Sequence, residues 1–445
     1  MKIFNGNKER SILFVSQSFY PRVGGVSTLL LNLSRYLSQL NYKIYAIHFE
    51  MSTNVSASEA LGYPIKEYII SRSEIPKEVF QGYAAFKEEI YQHLHGIRQF
   101  KYQTIDDVPG YKDFVFCSEL FSKRILDVLS NNNIDLVHFQ DYQVMLGLSN
   151  IPLEVKSIFS LHAPLIDNID RTVAKWLVRY GNKADKMVFS IPQYSEIAIK
   201  HGLKPQKSIV LPPMIDKNVM SRVTELPSVF KQIPPGSIVI TCIQRFDAKS
   251  GHTQLIEGFS KISNKFKNSY LVLVGGGSFT DNISNVRRNY LLEAQNLVRD
   301  LNLTNRVIFA GSVDYMNLSE IYRRSDIVVM LSRMECFGLA ITEAMFHEKP
   351  VLVTNVGGLA FQVKNGVNGY VVKVGDTEST ADLLGRLIES KELRIKMGVK
   401  SKKIFQKNFD PEKIIKYYHT LYQSLLSPSI VGSLPNYDYL YNLLR

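Results

Sequence analysis

Two glutamates, Glu335 and Glu343, flank a glycine, Gly338, in the segment ECFGLAITE. Carboxylates accept hydrogen bonds from hydroxyl groups, and the amides that open a helix donate to phosphate oxygens. Five helical residues separate Gly338 from Glu343, a rise of about 7–8 Å. The two carboxylates can therefore address different ends of one elongated ligand, with helix-opening amides between them. That chemistry suits a nucleotide diphospho-sugar. Singly, Glu335 reads as a loop acid and Glu343 as an ordinary helix residue, but neither reading explains why they flank a glycine turn after a buried strand. Upstream, Arg245 and Lys249 follow the apolar run SIVITCI. A forked guanidinium and an ammonium just past a strand of an open α/β sheet can neutralise a diphosphate; without context they equally read as a solvated basic loop. Near the start, Gly24 and Gly25 fall between SILFVSQSF and a helical stretch with Val26, Leu29, Leu30, Leu33 and Leu37 on one face. Glycines there let backbone approach a ligand beside a helix N-terminus, although such a pair also makes an ordinary tight turn.

These residues need strands to end beneath them, and the chain supplies two series. Apolar, β-branched runs at 11–19, 42–49, 134–139, 156–162 and 186–191 alternate with helical-period segments, the pattern of βα units in a parallel sheet. A second series follows at 237–243, 270–277, 306–311, 326–332, 350–355 and 369–373. The expected fold is α/β with two Rossmann-like doubly wound domains, at 1–215 and 237–408. Residues 216–236, punctuated by proline and without sustained period, are expected to link them. After Asp410, PEKIIKYYHTLYQSLL opens with an Asp-Pro helix-entry signal, so 409–445 is expected to be a helical segment crossing back to the first domain. Residues 51–115 are the least regular stretch, aromatic enough to be an elaboration of the first domain.

The 445 residues, 45% hydrophobic and 21% charged, are those of a globular protein and exclude disordered or collagen-like classes. Three scattered cysteines form neither a disulfide framework nor a zinc pattern, which fits a reducing compartment. No run approaches the ~20 apolar residues that span a bilayer, so a cytoplasmic location is expected. The 53 basic against 41 acidic residues, a net +12, point to a polyanionic partner: nucleic acid, an anionic membrane surface or a phosphorylated small substrate. No basic run interleaved with stacking aromatics favours nucleic acid, and the nine histidines show no metal-ligand spacing.

ECFGLAITE resembles the Glu, seven residues, Glu signature of retaining glycosyltransferases of the GT-B fold, specifically family 4. RFDAKSGHTQLIEGF, LVLVGGG, VIFAGSV, SDIVVMLS and KPVLVTNVGGLAFQVKNGVNGYVV match the same family, as do FYPRVGGV, IDLVHFQDYQ and SIFSLHAP in the first half. Several phrases are closest to the trehalose-forming synthases. The resemblance implies a GT-B architecture, two domains facing a central cleft, with acceptor binding in the first and donor binding in the second. It implies that Glu343 holds ribose hydroxyls, Glu335 holds the sugar, and Phe337, Gly338 and Leu339 offer backbone to sugar and diphosphate. Arg245 and Lys249 would neutralise the diphosphate, with Gly24 and Gly25 approaching it. His162 would contact the sugar near its reacting face, and Asp141 would bind acceptor or donor hydroxyls; their plain alternatives are a core histidine and a helix N-cap. The implied substrates are a nucleotide sugar and a hydroxyl acceptor, small and sugar-like, with no metal or other cofactor. A lipid acceptor at the membrane surface and a catalytically silent sugar-nucleotide binder are the competing readings. One departure stands out: the family lysine five residues after the arginine is replaced by Ser250, and Lys249 precedes it.

Overall fold

The computed structural model describes residues 9–22, 24–51, 56–276 and 288–427. Gly277, at the end of one expected strand, and 428–445 of the expected C-terminal segment lie outside these residues. The chain divides into two compact units, one running to Met214 and resuming at Glu412, the other spanning Ile215–Pro411.

In the first unit, seven strands form one parallel sheet. They are β1 (Arg10–Ser16), β2 (Tyr42–Phe49), β3 (Ile65–Ile70), β4 (Leu136–Gln140), β5 (Lys156–Leu161), β6 (Lys186–Phe189) and β7 (Ser208–Val210), in the order β3-β2-β1-β4-β5-β6-β7. Helices cover both faces of such a sheet, so its central strands are nearly continuous apolar runs; all five residues of β4 are buried. On one face, Phe14 and Leu136 pack with Leu30, Leu33 and Leu37 of the helix Gly25–Ser38 and with Ile414, Tyr418, Leu421 and Tyr422 of the helix Pro411–Leu426. Tyr422 Oη lies 3.0 Å from His138 Nδ1 on β4, and Tyr42 Oη 2.9 Å from His419 Nδ1. The last described helix is thus tied to the centre of the first sheet. Strand order reverses between β1 and β4, and ligands of open α/β sheets bind at such a reversal, beyond the strand C-termini.

The second unit repeats the plan with β8 (Ile238–Ile243), β9 (Ser269–Val274), β10 (Val307–Gly311), β11 (Ile327–Met330), β12 (Val351–Thr354) and β13 (Gly369–Val372). All are parallel, in the order β10-β9-β8-β11-β12-β13, with the reversal between β8 and β11. Its core gathers Ile240, Leu271, Leu273, Ile327, Val329 and Leu352 with Leu255 and Phe259 of the helix His252–Ser263.

Three regions depart from expectation. Residues 216–236 are not a bare linker but fold into the second unit. Asp216, fully buried, caps a short helix by accepting from the Asn218 and Val219 amides, Val219 and Met220 are fully buried, and Ser319 Oγ donates to the carbonyls of Met220 and Arg222 at 2.8 and 2.9 Å. Proline breaks ladders but leaves side chains and carbonyls free to dock. Residues 51–115 are more regular than expected: they contain β3, the helix Lys77–Leu94 and the start of the helix Tyr111–Asn131. These helices meet where Gly110, at φ 81°, lies against Gly82; a Cβ on Gly110 would stand 1.9 Å from the Gly82 carbonyl oxygen. Their aromatic faces interlock, with Phe86 and Phe114 ring centroids 4.4 Å apart and Trp176 edge-on to Phe86. Finally, β3 and the three-residue β7 extend the first sheet beyond the five strands expected.

Candidate active site

The second unit gathers its predicted residues around the reversal between β8 and β11. Arg245 and Lys249 lie in the loop after β8, and Glu335 in the loop after β11. Lys249 Nζ stands 3.2 Å from Glu335 Oε2, with 13% and 16% of the two side chains exposed, so the pair is sheltered yet open to a ligand. The backbones are joined as well, because the Arg333 amide donates to the Lys249 carbonyl at 2.7 Å. Ser250 does not take the place of a cation. Its hydroxyl turns back into the loop, donating to the Asp247 carbonyl at 2.6 Å and lying 2.9 Å from His252 Nδ1. His252 stacks on Phe246 at 4.0 Å, and burial pushes its imidazole down to about 4. Lys249 is therefore the lysine that this loop turns toward Glu335.

Gly338, at φ 84° and ψ 67°, caps the helix Leu339–Phe346, which has no side-chain cap. Only glycine adopts that conformation readily, and a Cβ there would also lie 2.5 Å from Leu359 Cδ2. The turn is clamped from behind. Gln362, 1% exposed, donates through Nε2 to the carbonyls of Phe337, Gly358 and Gly338 at 2.6, 3.2 and 3.3 Å, and accepts from Thr342 Oγ1 at 2.6 Å. Gly358 lies so close that an added Cβ would be 2.2 Å from Phe337 Cα. The Phe337 ring is buried against Phe409, which leaves the backbone of the turn as its contribution. Glu343 is 3% exposed and accepts from Tyr322 Oη at 2.7 Å. Burial, then the Glu343 carboxylate, holds the Tyr322 phenol well above its ordinary range, so it stays a donor.

In the first unit, Gly24 and Gly25 follow β1, Asp141 follows β4 and His162 follows β5. A Cβ on Gly25 would meet nothing within 4 Å, so no described neighbour demands glycine there. Asp141, at φ 69°, accepts from the amides of Tyr142 at 3.1 Å and His162 at 3.3 Å. Burial raises its carboxyl to about 6, against the lowering effect of the Tyr142, His162 and Ala163 amides. His162 Nε2 lies 2.8 Å from Gln140 Oε1, and desolvation pushes the imidazole down to about 4, so it is neutral at pH 7. With Gln140 Oε1 as an acceptor, Nε2 carries the proton. His138 on β4 is the contrasting case: fully buried, satisfied by Ser160 and Tyr422, and pushed down to about 3 by burial and by His162.

Gln362, Gln140 and Tyr322 were not singled out from the sequence. Gln140 stands inside the quoted HFQDYQ, directly before Asp141. Nothing in LAFQVKNG marks Gln362, whose role exists only once the turn is folded over it.

Two parallel doubly wound sheets, each with its chemistry at the strand-order reversal, define the GT-B class. Solved structures agree in fold: sucrose-phosphate synthase from Thermosynechococcus elongatus superposes with TM-score 0.72 at 18% identity over 94% of this chain and all of that one, and Anabaena HepE in complex with UDP and glucose at TM-score 0.67 and 18% identity over 93% and 99%. The model for glycosyl transferases group 1 matches residues 227–404, and that for glycosyltransferase family 4 matches 23–219. The chain belongs to glycosyltransferase family 4. It is similar to N-acetyl-alpha-D-glucosaminyl L-malate synthase of Bacillus anthracis, 26% identical over 92% of this chain and 96% of the relative. It is also similar to the trehalose synthase of Pyrococcus horikoshii, 29% identical over 58% of this chain; that match spans 61% of the relative.

Proposed function

We propose that this glycosyltransferase moves a hexose from a nucleotide diphosphate sugar to a hydroxyl of a small, sugar-like acceptor, with retention of anomeric configuration. The observation that carries the reading is the sheltered Lys249–Glu335 pair beside the clamped Gly338 turn. A cation and a carboxylate side by side suit a donor with phosphate at one end and hydroxyls at the other. Lys249 and Arg245 face the diphosphate, Glu335 the sugar hydroxyls, and the amides opening at Leu339 the phosphate oxygens. Glu343, braced by Tyr322, takes the ribose. Solved GT-B neighbours include complexes with UDP and glucose, with UDP-glucose and with UDP-2-fluoro glucose, which supports a nucleotide-sugar donor here.

In the proposed transfer, the bond between the anomeric carbon and the diphosphate oxygen breaks as that carbon bonds to the acceptor oxygen on the same face. The departing diphosphate oxygen takes the acceptor's proton. Negative charge grows on the leaving group, and preorganised cations and amides stabilise it without reorganisation. His162, neutral and fixed by Gln140, donates to a sugar hydroxyl; Asp141 orients hydroxyls beside it. The step needs no general base of high basicity, in keeping with an imidazole held near 4.

A thermal-shift panel of nucleotide sugars, followed by an acceptor screen read by product mass and by the anomeric proton coupling in NMR, tests this reading. One nucleotide sugar should raise the melting temperature by mass action and yield an α-linked product from an α-linked donor. Stabilisation by no nucleotide sugar, or an inverted product, overturns it.

A further inference from the structure

The positive charge of this chain is concentrated away from the donor loops. Between Lys391 and Lys407 stand seven basic residues against Glu392 alone, a net +6 within a chain of net +12. They lie on the helix Lys391–Ile404 and the turn Phe405–Phe409 that continues it. Ile395 and Val399, one helical turn apart, are 57% and 41% exposed, and Lys396, Lys400 and Lys403 beside them are exposed too. Beside this stripe opens a cavity of about 540 Å³, lined by Ile395, Val399 and Phe346 and by the cations Arg323, Lys349 and Lys402.

The cations are fixed at the wall. Lys349 Nζ donates to the Arg323 carbonyl at 3.1 Å and Lys402 Nζ to the Phe346 carbonyl at 2.5 Å, one bond of the three that each ammonium can donate. Arg323 pairs with Glu320, and Glu348 is the carboxylate on the cavity rim. His347, stacked on Tyr322, is pushed down to about 3 by burial and then by Arg323, Lys349 and Lys402, the three cations that line the same cavity. The cavity adjoins the residues that lead into β12, at the end of the sheet where its strands begin, whereas the Gly338 turn follows the end of β11.

We propose that this face docks the second unit on an anionic phospholipid bilayer, with a lipid phosphate seated among Arg323, Lys349 and Lys402 while Ile395 and Val399 enter the headgroup layer. Apolar side chains interleaved with lysines are what an interfacial helix presents to lipid. Single-stranded nucleic acid is recognised instead by exposed rings and guanidinium planes. The exposed cations of this helix are all lysines, Arg394 is buried, and its exposed apolar residues are aliphatic.

Co-sedimentation of the full chain with phosphatidylcholine vesicles, with and without phosphatidylglycerol, tests the proposal. The chain should bind the mixed vesicles and not the neutral ones, less strongly as salt rises. Each basic residue near an anionic surface contributes about fivefold in partitioning, so Lys396→Ala/Lys400→Ala/Lys403→Ala should bind roughly a hundredfold more weakly with an unchanged melting temperature. Ile395→Ser/Val399→Ser should weaken binding with less change in its salt dependence. Equal binding to both vesicle types, no binding, an unaffected lysine variant, binding of glycerol phosphate in solution without vesicle binding, or tighter binding to poly-U RNA than to anionic vesicles would each overturn it.

Discussion

The two sheets hold their candidate site residues in different electrostatic settings. At the reversal of the first sheet, Asp141 is 8% exposed and His162 is neutral, and both are held by amides and a neighbouring glutamine. At the reversal of the second, Lys249 and Glu335 form an ion pair that keeps part of each side chain open. The same topology therefore offers a neutral imidazole and a lone buried carboxyl from one unit, and a cation paired with a carboxylate from the other. The former suit hydroxyls and the latter suits phosphates, since charge-assisted bonds are roughly twice as strong as neutral ones.

Four experiments break or sharpen this contrast. Glu335→Gln should lower turnover about a hundredfold or more with the fold retained; undiminished turnover would remove the charged edge from the chemistry. Lys249→Ala should raise the donor KM roughly tenfold, the scale of one lost bond to a charged group. An unchanged KM would pass that role to another cation. Gln362→Ala leaves the buried Phe337 carbonyl short of its nearest donor, at a cost of about 1–3 kcal/mol, so thermal unfolding should come earlier and turnover fall several-fold. A variant as stable as the parent would show that the turn needs no clamp.

The smallest effect distinguishes the units by pH. Burial pushes five histidines of the first unit, His93, His138, His162, His201 and His419, and two of the second, His252 and His347, below their ordinary value of 6.5. The unfolded chain takes up these protons first, so both units lose stability as pH falls through 6.5 toward 4. Asp141 has the opposite sign: raised from 3.8 to about 6, it penalises folding increasingly as pH rises between those values, and acidification relieves that penalty. From pH 7 to 5 the first unit, with five such histidines against two and one opposing carboxyl, should therefore lose more hydrogen-exchange protection in its core strands than the second. Equal losses would show that the additional histidines of the first unit are not depressed in the folded state.

Much of this was legible because parallel strands buried on both faces leave apolar runs that need no partner to be seen: β2 runs over Tyr42–Phe49, the same residues read from the sequence. β3 escaped because it is an edge strand whose Ile65 and Ile70 are separated by Lys66 and Glu67, so its run is broken by charge. The site was legible where chemistry is local, as in ECFGLAITE. It was hidden where a role depends on distant residues meeting, as with Gln362 beneath Phe337, or Tyr322 against Glu343. Ser250 shows the mixed case: its substitution was visible, but only the turn it makes with Asp247 and His252 explains why Lys249 is the residue beside Glu335.

The hydrogen bond between Tyr422 and His138 has a bearing on the order of synthesis. The helix that covers one face of the first sheet is translated after the whole of Ile215–Pro411. As the chain leaves the ribosome, Phe14 and Leu136 must therefore wait, without that cover, until the rest of the first sheet and the whole of the second unit have been made. The second unit, continuous in sequence, can close first, although it begins later.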